Sequence, residues 1–363
     1  MSSYLENLQQ KQRKMADLWQ AFGAPEAEVY ASQPQGYRYR AEFRIWHQDN
    51  QAHYAMYRPG TKIPQPIVQF APACDRIRQA MPLLMQEINR NELLKQRLYT
   101  VEFLATLSNE LLVTLIYHRP IEQDWDEAAR PLQRLLDAQI LGRSRKRKRV
   151  LGRDYLEECL TTATGNWKYR QYEGSFSQPN AAMACHMIDW VVAQAGKNKT
   201  DLLELYCGNG NFTLPLSRCF GKVLATELSK VSIRALEWAI ENNGCTNLTC
   251  ARLSAEELVQ AMDGVRPFRR LQEIDLSSYQ FSHLLVDPPR AGLDPATRAF
   301  AARFEQIIYI SCSPESLHRD LQQLTQTHEI VATALFDQFP MTDHIENGAL
   351  LRKSQTVGEK GGC

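Results

Sequence analysis

Residues 307–315 read I-I-Y-I-S-C-S-P-E. The apolar run is typical of a buried parallel strand that ends at Ser311 and Cys312, and Pro314 suits the first turn of a following helix. Because ligands of open α/β sheets bind at the carboxyl ends of the strands, Cys312 is expected to face a site. The alternative is a structural cysteine in the core, since free cysteine is among the most buried residue types.

Strand and helix patterns alternate from about residue 178 to the last strand pattern. The predicted strands are 201–205, 222–227, 248–252, 283–286, 307–310, 330–336 and 348–351. This alternation indicates an α/β fold with a doubly wound, Rossmann-like parallel sheet and right-handed crossovers.

The first part of the chain has a different pattern. Residues 3–22 predict an amphipathic helix, and residues 37–47 predict a strand with one basic face. Further strands are predicted at 53–58, 98–107 and 110–118, the last two as a hairpin, and helices at 81–94 and 124–136. We therefore expect a mixed α+β, strand-rich domain over 1–172, a catalytic domain over 173–352, and a disordered tail over 353–363 that ends in Cys363.

Composition is that of an ordinary globular protein. The 363 residues are 44% hydrophobic and 23% charged, with a formal net charge of +1, so any surface that binds a polyanion must be local. No segment is apolar enough to suggest a membrane span or a signal peptide, which predicts a cytoplasmic protein. The nine cysteines include no C-x-x-C pair, which argues against a zinc ribbon.

The densest charge cluster is R-S-R-K-R-K-R at 143–149, in which six of seven residues are basic. Such a cluster favours contact with the phosphates of a nucleic acid, through residues such as Arg145 and Arg147. A solvated edge strand protected by its charge is the alternative.

A glycine-rich turn follows the strand at 201–205, in L-E-L-Y-C-G-N-G-N-F. Gly208 and Gly210 allow a tight turn and close approach of a ligand, while Thr213 stands where a dinucleotide fold has its third glycine. The turn therefore favours S-adenosylmethionine over NAD. Glu227, at the end of the next strand, suits the ribose hydroxyls, and Asp287 precedes two prolines at a third strand end.

These motifs, D-P-P-R (287–290), I-S-C-S-P (310–314), F-P-M-T-D-H-I-E (339–346) and F-S-Q-P-N (176–180), resemble the RNA uracil-5-methyltransferase family, and its bacterial tRNA-modifying members in particular. The resemblance implies a class I S-adenosylmethionine-dependent methyltransferase domain behind an N-terminal RNA-binding domain. It also implies methylation of C5 of the T-loop uridine at tRNA position 54, with the tRNA T-arm as partner. No obligate protein partner is implied.

The resemblance also assigns residues. It implies that S-adenosylmethionine is bound by side chains on the motifs above: Gln178, Tyr206, Asn211, Glu227 and Asp287. It makes Cys312 the nucleophile and Glu346 the base. Ser313 departs from the family's usual S-C-N-P, and activity is expected to persist with a changed local hydrogen bond.

The chemistry of uracil explains these residue types. Addition of a thiolate at C6 makes C5 nucleophilic, and a base must then remove the C5 proton. His344 competes with Glu346 as the base, although a supporting position behind the base or an RNA contact is expected for it. A hydrogen-bonded structural imidazole is the alternative. Because a base within folded RNA cannot reach such a pocket, the target must be extruded, and the candidates for contacting it are Arg44, Tyr99 and His118. Phe103 is a fourth candidate. Ordinary strand packing is the alternative for each of the four, and for Phe103 it is the favoured one.

Two other functions remain open at this point. One is a ribosomal-RNA uracil-5-methyltransferase without an iron–sulfur cluster. Such a cluster needs four thiolates, and only Cys74 and Cys159 precede the catalytic domain, so neither a metal nor a cluster is expected. The other is an RNA-binding folding factor in which catalysis is secondary.

Overall fold

A computed structural model describes residues 2–57, 60–61 and 63–354. Its helices, in chain order, are α1 (Ser2–Ala21), α2 (Asp75–Arg90), α3 (Glu92–Lys95), α4 (Gln123–Leu136), α5 (Ala181–Ala195), α6 (Thr213–Leu216), α7 (Lys230–Asn243), α8 (Ala255–Met262), α9 (Pro295–Ala301) and α10 (Pro314–Leu324). The tail predicted around Cys363 lies outside the described residues, whereas Lys353 still belongs to a strand.

The strands are β1 (Glu28–Tyr30), β2 (Arg40–Gln48), β3 (Gln51–Tyr57), β4 (Pro64–Ile67), β5 (Leu98–Ala105), β6 (Leu111–Tyr117), β7 (Gln139–Ser144), β8 (Arg147–Leu151), β9 (Tyr155–Thr162), β10 (Gly165–Tyr172), β11 (Asp201–Leu205), β12 (Val223–Thr226), β13 (Leu248–Ala251), β14 (Phe281–Val286), β15 (Gln306–Ser311), β16 (His328–Phe336) and β17 (Glu346–Lys353).

The chain forms two compact units. The first comprises Met1–Ser32, Thr161–Trp167 and Met183–Cys363, and the second Gln33–Leu160 and Lys168–Ala182. This division differs from the predicted boundary at residue 172, because the predicted N-terminal helix belongs to the first unit. The apolar face of α1, with Met15 and Trp19, is buried in the core that contains the strands of that unit.

The first unit is built on an eight-stranded sheet in the order β1-β16-β17-β15-β14-β11-β12-β13. All pairings whose register is known are parallel except those of β17, which runs antiparallel to β15 and β16. Buried side chains alternate to both faces of β15, from Ile307 to Ile310, which explains its continuous apolar run. The predicted doubly wound α/β fold is confirmed.

Strand order reverses at β11 in this sheet. From β11 the chain continues to β12 and β13 on one side and then crosses to β14 and β15 on the other. A crevice at the carboxyl ends of the strands forms at such a switch point, which is where doubly wound folds bind their ligands. The glycine-rich turn follows β11 directly and so lies at this crevice.

The second unit contains a seven-stranded sheet in the order β4-β3-β2-β5-β6-β7-β8. The predicted hairpin is present as β5 and β6, which pair antiparallel, with Asn109 in the left-handed region at φ 66°. The predicted helix at 81–94 instead begins at Asp75 and ends at Arg90, before the short α3. Buried side chains of α2 and α4, including Met81 and Trp125, share one core with the sheet.

In the described part of the chain, no helix combines the length and the apolar character that a membrane crossing requires.

Candidate functional site

The glycine turn and three predicted site residues follow four adjacent strands of the first unit. The glycine turn follows β11, Glu227 follows β12, Asp287 follows β14 and Cys312 follows β15, and these strands are neighbours in the order β15-β14-β11-β12. Because the four strands are parallel, their carboxyl ends meet at one edge of the sheet. The structure therefore brings these residues to a single crevice, as the sequence predicted.

The glycine turn has an unusual backbone. Tyr206, Gly208 and Gly210 have φ values of 61°, 56° and 90°, in the left-handed region that glycine adopts at least cost. A Cβ at Gly210 would lie 2.4 Å from Cδ1 of Leu236, whereas a Cβ at Gly208 would meet no atom within 4 Å. Gly210 thus allows close packing on α7, and Gly208 leaves space beside the backbone for a ligand.

Glu227 holds this turn in place. One of its carboxylate oxygens accepts a hydrogen bond from the backbone N–H of Gly208 at 3.1 Å, and the other accepts from the N–H of Ser229 at 2.7 Å. Each oxygen retains a second lone pair that can accept a hydroxyl donor. The residue predicted to bind ribose therefore also shapes the turn, which sequence reasoning did not anticipate.

Cys312 is half-buried at the junction of β15 and α10. The next residue, Ser313, is the N-cap residue of α10, and its hydroxyl accepts a hydrogen bond from the N–H of Ser316 at 3.3 Å. Serine and asparagine are both favoured N-caps, so the departure at Ser313 preserves the start of the helix. The Ser313 hydroxyl also donates to the carboxylate of Glu315 at 3.1 Å, and the effect of serine in place of asparagine on activity remains a prediction.

The surroundings of Cys312 favour the neutral thiol. Burial raises its pKa to about 11, the negative charges of Glu346 and Asp287 act in the same direction, and Arg290 opposes them. The thiolate is the reactive form of cysteine, so Cys312 is mostly in its unreactive thiol form without a ligand. Activation requires proton removal on attack or a nearby positive charge.

This pKa predicts how the ligand-free protein reacts with iodoacetamide. Between about pH 7 and about pH 9, alkylation of Cys312 should accelerate about tenfold per pH unit, because the thiolate fraction grows in that proportion below the pKa. Mass spectrometry of the Cys312 peptide measures the rate. Cys250 is an internal reference, since burial raises its pKa to about 11 as well. A rate at Cys312 that levels off near pH 8 while Cys250 keeps rising would contradict the prediction.

Glu346 is the first residue of β17 and is buried. Its carboxylate lies 3.3 Å from Nε2 of His344, and that ring packs edge-on against Phe339. The imidazole therefore contacts the predicted base, as expected of a supporting residue. Ser311 pairs with Asn347 across β15 and β17, which places the start of β17 beside the end of the strand that carries the cysteine.

The crevice concentrates acidic groups. Burial, followed by the charges of Glu346 and Glu204, raises the pKa of Asp287 well above its usual range. Glu204 on β11 is fully buried, with Thr213 as the hydrogen-bonding side chain beside it. Burial raises the pKa of Glu204 to about 8. At neutral pH these raised pKa values favour the protonated acids, and a nearby cation such as the sulfonium of S-adenosylmethionine would favour their ionisation.

The remaining predicted cofactor residues are Asn211 and Gln178. Asn211 lies in the glycine turn, directly after Gly210. Gln178 belongs to the second unit, next to Pro179, whose carbonyl accepts a hydrogen bond from the N–H of Tyr39 at 2.7 Å. Its role at the cofactor remains a prediction. Within the described residues, no cluster of three or more His, Cys, Asp or Glu side chains could hold a metal ion.

Three predicted RNA-contacting residues lie together in the second unit. The rings of Tyr99 and His118 stack with centroids 3.7 Å apart, and the guanidinium of Arg44 lies 4.2 Å from the centre of the Tyr99 ring. Phe103, by contrast, is buried in the core, edge-on to Phe43. The structure therefore supports strand packing for Phe103 and an accessible stack for the other three.

Sequence reasoning missed part of this surface. Arg44 and Tyr99 line a cavity of about 260 Å³ together with Trp46, Met56 and Tyr57. The last three side chains are exposed by 43%, 43% and 55%, which is unusual for large apolar groups. Period-two spacing could have indicated Trp46, because it lies two residues after Arg44 and so on the same face of β2.

The basic cluster at 143–149 lies on the β7–β8 hairpin at the edge of its sheet. Most of its cations are paired with acids of the same unit. Ion pairs join Arg143 and Lys148 to Glu173, Lys148 also to Asp154, Arg147 to Glu122, and Arg149 to Asp126. Arg145 and Lys146, at the exposed turn, form no ion pair with a described residue. The edge strand is therefore charged, and among the described basic residues of the cluster only Arg145 and Lys146, at its tip, have no acidic partner. Contact of Arg145 and Arg147 with RNA remains a prediction.

Comparison with known proteins gives consistent results. Residues 3–354 match the family described as tRNA (Uracil-5-)-methyltransferase. The tRNA/tmRNA (uracil-C(5))-methyltransferase of Cellvibrio japonicus is 49% identical over 97% of this chain and 96% of its own. The enzyme of the same name from Acinetobacter baumannii strain AYE is 50% identical over 97% and 99%.

A solved structure supports the fold. The tRNA (uracil-54, C5)-methyltransferase of Pyrococcus abyssi, in complex with S-adenosyl-L-homocysteine, superposes with a TM-score of 0.74 and covers 96% of this chain and 83% of its own. Its sequence is 21% identical, so the likeness concerns the fold alone. The match over residues 3–354 and the relatives that are 49% and 50% identical over 97% of the chain show that this chain belongs to the tRNA (uracil-5-)-methyltransferase family.

Proposed function

We propose that this protein methylates C5 of the T-loop uridine at position 54 of tRNA, with S-adenosylmethionine as donor, through a covalent bond between Cys312 and C6. The observation that carries the proposal is the convergence of Cys312, Glu346 and the glycine turn at one edge of one sheet. Membership in the family and the names of the relatives, which specify tRNA and tmRNA, support it.

The cofactor end of the crevice is formed by the glycine turn and the acids beside it. Gly208 leaves room for the donor, Glu227 offers lone pairs to the ribose, and Tyr206, Asn211 and Asp287, in the glycine turn and after β14, are assigned to the rest of the cofactor. When bound, S-adenosylmethionine supplies the methyl group that C5 accepts and leaves as S-adenosylhomocysteine. Its positive charge would favour the ionised forms of Asp287 and Glu204, whose pKa values burial raises.

Cys312 begins the reaction. Its sulfur adds to C6 of the uracil, and the electrons of the C5–C6 double bond move toward C5 and the O4 carbonyl. The thiol proton passes to solvent as the Sγ–C6 bond forms, because burial raises the pKa of Cys312 to about 11 and keeps the free thiol protonated. After C5 has gained the methyl group, it still carries its original proton.

Glu346 ends the reaction. Its carboxylate removes the C5 proton, the electrons of that C–H bond restore the C5–C6 double bond, and the sulfur leaves C6 as a thiolate. His344, 3.3 Å from the same carboxylate, orients it and can accept the proton afterwards. The cysteine and the acid thus act at different steps, which gives each an observable signature.

RNA binding is attributed to the second unit. Arg44, Tyr99 and His118 present a stacked, accessible surface, and base stacking on aromatic rings contributes about 1–3 kcal/mol per base. Single-stranded loops and extruded bases are the RNA elements that such surfaces recognise. A T-arm with an extruded uridine provides both a loop and an extruded base.

The test of the function is a methylation assay with labelled S-adenosylmethionine and total RNA that lacks 5-methyluridine. We expect label in tRNA, at position 54 after mapping. Label confined to ribosomal RNA would favour the alternative assignment within the wider family, and RNA refolding without any label would favour a folding factor. RNA with 5-fluorouridine at the target should form a covalent adduct that survives a denaturing gel, since fluorine cannot leave as a proton.

The ion pairs of the basic hairpin predict which cations bind RNA. Replacing Arg145 and Lys146 together by serine should lower the slope of log K against log salt, by about 0.7–0.9 for each phosphate that the variant no longer neutralises. Filter binding over a salt series measures the slope. The matched control replaces Arg147 and Arg149, which Glu122 and Asp126 already neutralise, and a smaller change is expected. Equal changes in the two variants would contradict the prediction.

A further inference from the structure

The segment that carries Glu346 into the crevice has no helix or strand of its own. It runs from Asp337 to Ile345, between β16 and β17, and Met341 within it adopts a left-handed φ of 62°. Such a loop needs contacts from elsewhere to hold one conformation, since each residue that is ordered loses conformational entropy. Several of these contacts come from α1, between 326 and 335 residues earlier in the sequence.

Lys11 makes the first contact. Its ammonium donates to the Asp337 carboxylate at 2.7 Å and to the backbone carbonyl of Phe339 at 2.9 Å. The side chains of Lys11 and Asp337 are exposed by only 3% and 0%. A buried ion pair contributes little net stability because both charges lose their hydration, but it defines geometry closely. The pair therefore fixes where the loop begins relative to α1.

Asn7 makes the second contact, one helical turn before Lys11 and on the same face of α1. Its side-chain oxygen accepts from the N–H of Met341 at 3.1 Å, and its amide nitrogen donates to the carbonyl of Thr342 at 3.3 Å. These bonds hold the backbone at the left-handed residue and just after it. Lys11 and Asn7 thus hold the loop at two successive places.

The series of contacts continues to the proposed base. Phe339, whose carbonyl receives the Lys11 bond, packs its ring edge-on against His344 with centroids 4.6 Å apart. His344 in turn lies 3.3 Å from the carboxylate of Glu346. An unbroken series of contacts therefore leads from α1 to the group that removes the C5 proton.

We propose that α1 is a positioning element for Glu346, and that Lys11 and Asn7 set its approach to the C5 proton. The inference rests on the proposed function and goes beyond it, because it gives the first helix a part in one chemical step. The step that α1 serves is the proton removal that breaks the Sγ–C6 bond. Formation of that bond by Cys312 does not use the loop.

The experiment compares these two steps in Asn7→Ala and Lys11→Met. With uridine-containing tRNA, we expect turnover to fall by about ten- to hundredfold, the size of loss that a displacement near 1 Å produces. The covalent enzyme–RNA complex on denaturing gels should increase, because it forms normally and decays slowly. With 5-fluorouridine RNA, the rate of adduct formation should stay within about twofold of the wild-type rate, since that adduct forms without proton removal.

Arg13→Met is the matched control, as it removes an exposed cation from the same helix. It should leave both rates unchanged. Half-buried Asn7 gives the deciding variant if Lys11→Met does not fold, as judged by circular dichroism. A parallel fall of turnover and adduct formation in folded Asn7→Ala would overturn the inference, and so would an unchanged turnover. If the wild-type protein forms no adduct with 5-fluorouridine RNA, the proposed function fails instead.

Discussion

Cys312→Ala is expected to lower methyl transfer to tRNA by at least about a thousandfold, because the thiol is the only group in the proposed scheme that makes C5 nucleophilic. Binding of tRNA should remain close to normal, since the side chain is small, half-buried and outside the second unit. A labelled methylation assay and a binding assay on the same preparation measure the two quantities. No covalent adduct with 5-fluorouridine RNA should form.

The control for this variant is Cys245→Ala. Cys245 is another half-buried cysteine of the first unit, but it precedes β13 and so lies toward the opposite edge of the sheet from the crevice. Its replacement should leave methylation unchanged. Methylation by Cys312→Ala at a rate near that of Cys245→Ala would refute the covalent mechanism.

Glu346→Gln is expected to lower turnover but, unlike Cys312→Ala, to leave formation of the covalent complex intact. Turnover should fall by about a hundredfold to ten-thousandfold, the contribution typical of a positioned general base. The covalent complex with ordinary uridine-containing tRNA should nevertheless accumulate, because sulfur addition and methylation precede the step that needs the carboxylate. Denaturing gels and recovery of label in the protein–RNA band measure this accumulation.

Glu329→Gln is the control for Glu346→Gln, since Glu329 is an exposed acid on β16, at the far end of the same strand pair. It should turn over at the wild-type rate without a gel-stable complex. If Glu346→Gln lost turnover and formed no complex, the carboxylate would act before or during sulfur addition. The assignment of Glu346 as the C5 base would then be wrong.

A general structural defect would lower turnover and adduct formation together, whereas Cys312→Ala and Glu346→Gln should differ in adduct formation. Loss of Cys312 removes the adduct, whereas loss of Glu346 preserves it. The α1 variants should resemble a mild form of Glu346→Gln, because Lys11 and Asn7 act on the loop that carries the acid. The similarity of the α1 variants to Glu346→Gln would link the first helix of the chain to the proton-removal step at the crevice.

Much of the crevice follows from local sequence. The apolar run at 307–310, the glycine turn after β11 and the proline pair after Asp287 each specify a strand that ends in a polar residue. Because those strands are parallel in one sheet, their carboxyl ends lie at the same edge. Family resemblance then separates a nucleophile from a buried cysteine at Cys312, which the pattern of residues left open.

Other features depend on partners far away in the chain. The basic residues at 143–149 suggested an uncompensated cationic surface, yet Glu173, Asp154, Glu122 and Asp126 neutralise most of it. Sequence cannot supply this result, because the charge that a cation presents depends on which acids the fold brings within a few ångströms. Tertiary packing likewise separates exposed Tyr99 from Phe103, which the core buries, although both lie on β5.

The sequence by itself therefore determined the doubly wound sheet and the edge at which Cys312 lies, because strand patterns and turn residues act over short distances. Only the tertiary structure decided that α1 joins the catalytic unit and that Lys11 reaches Asp337. A buried ion pair across 326 residues has no local signal, since it forms only after the core has excluded water from both charges.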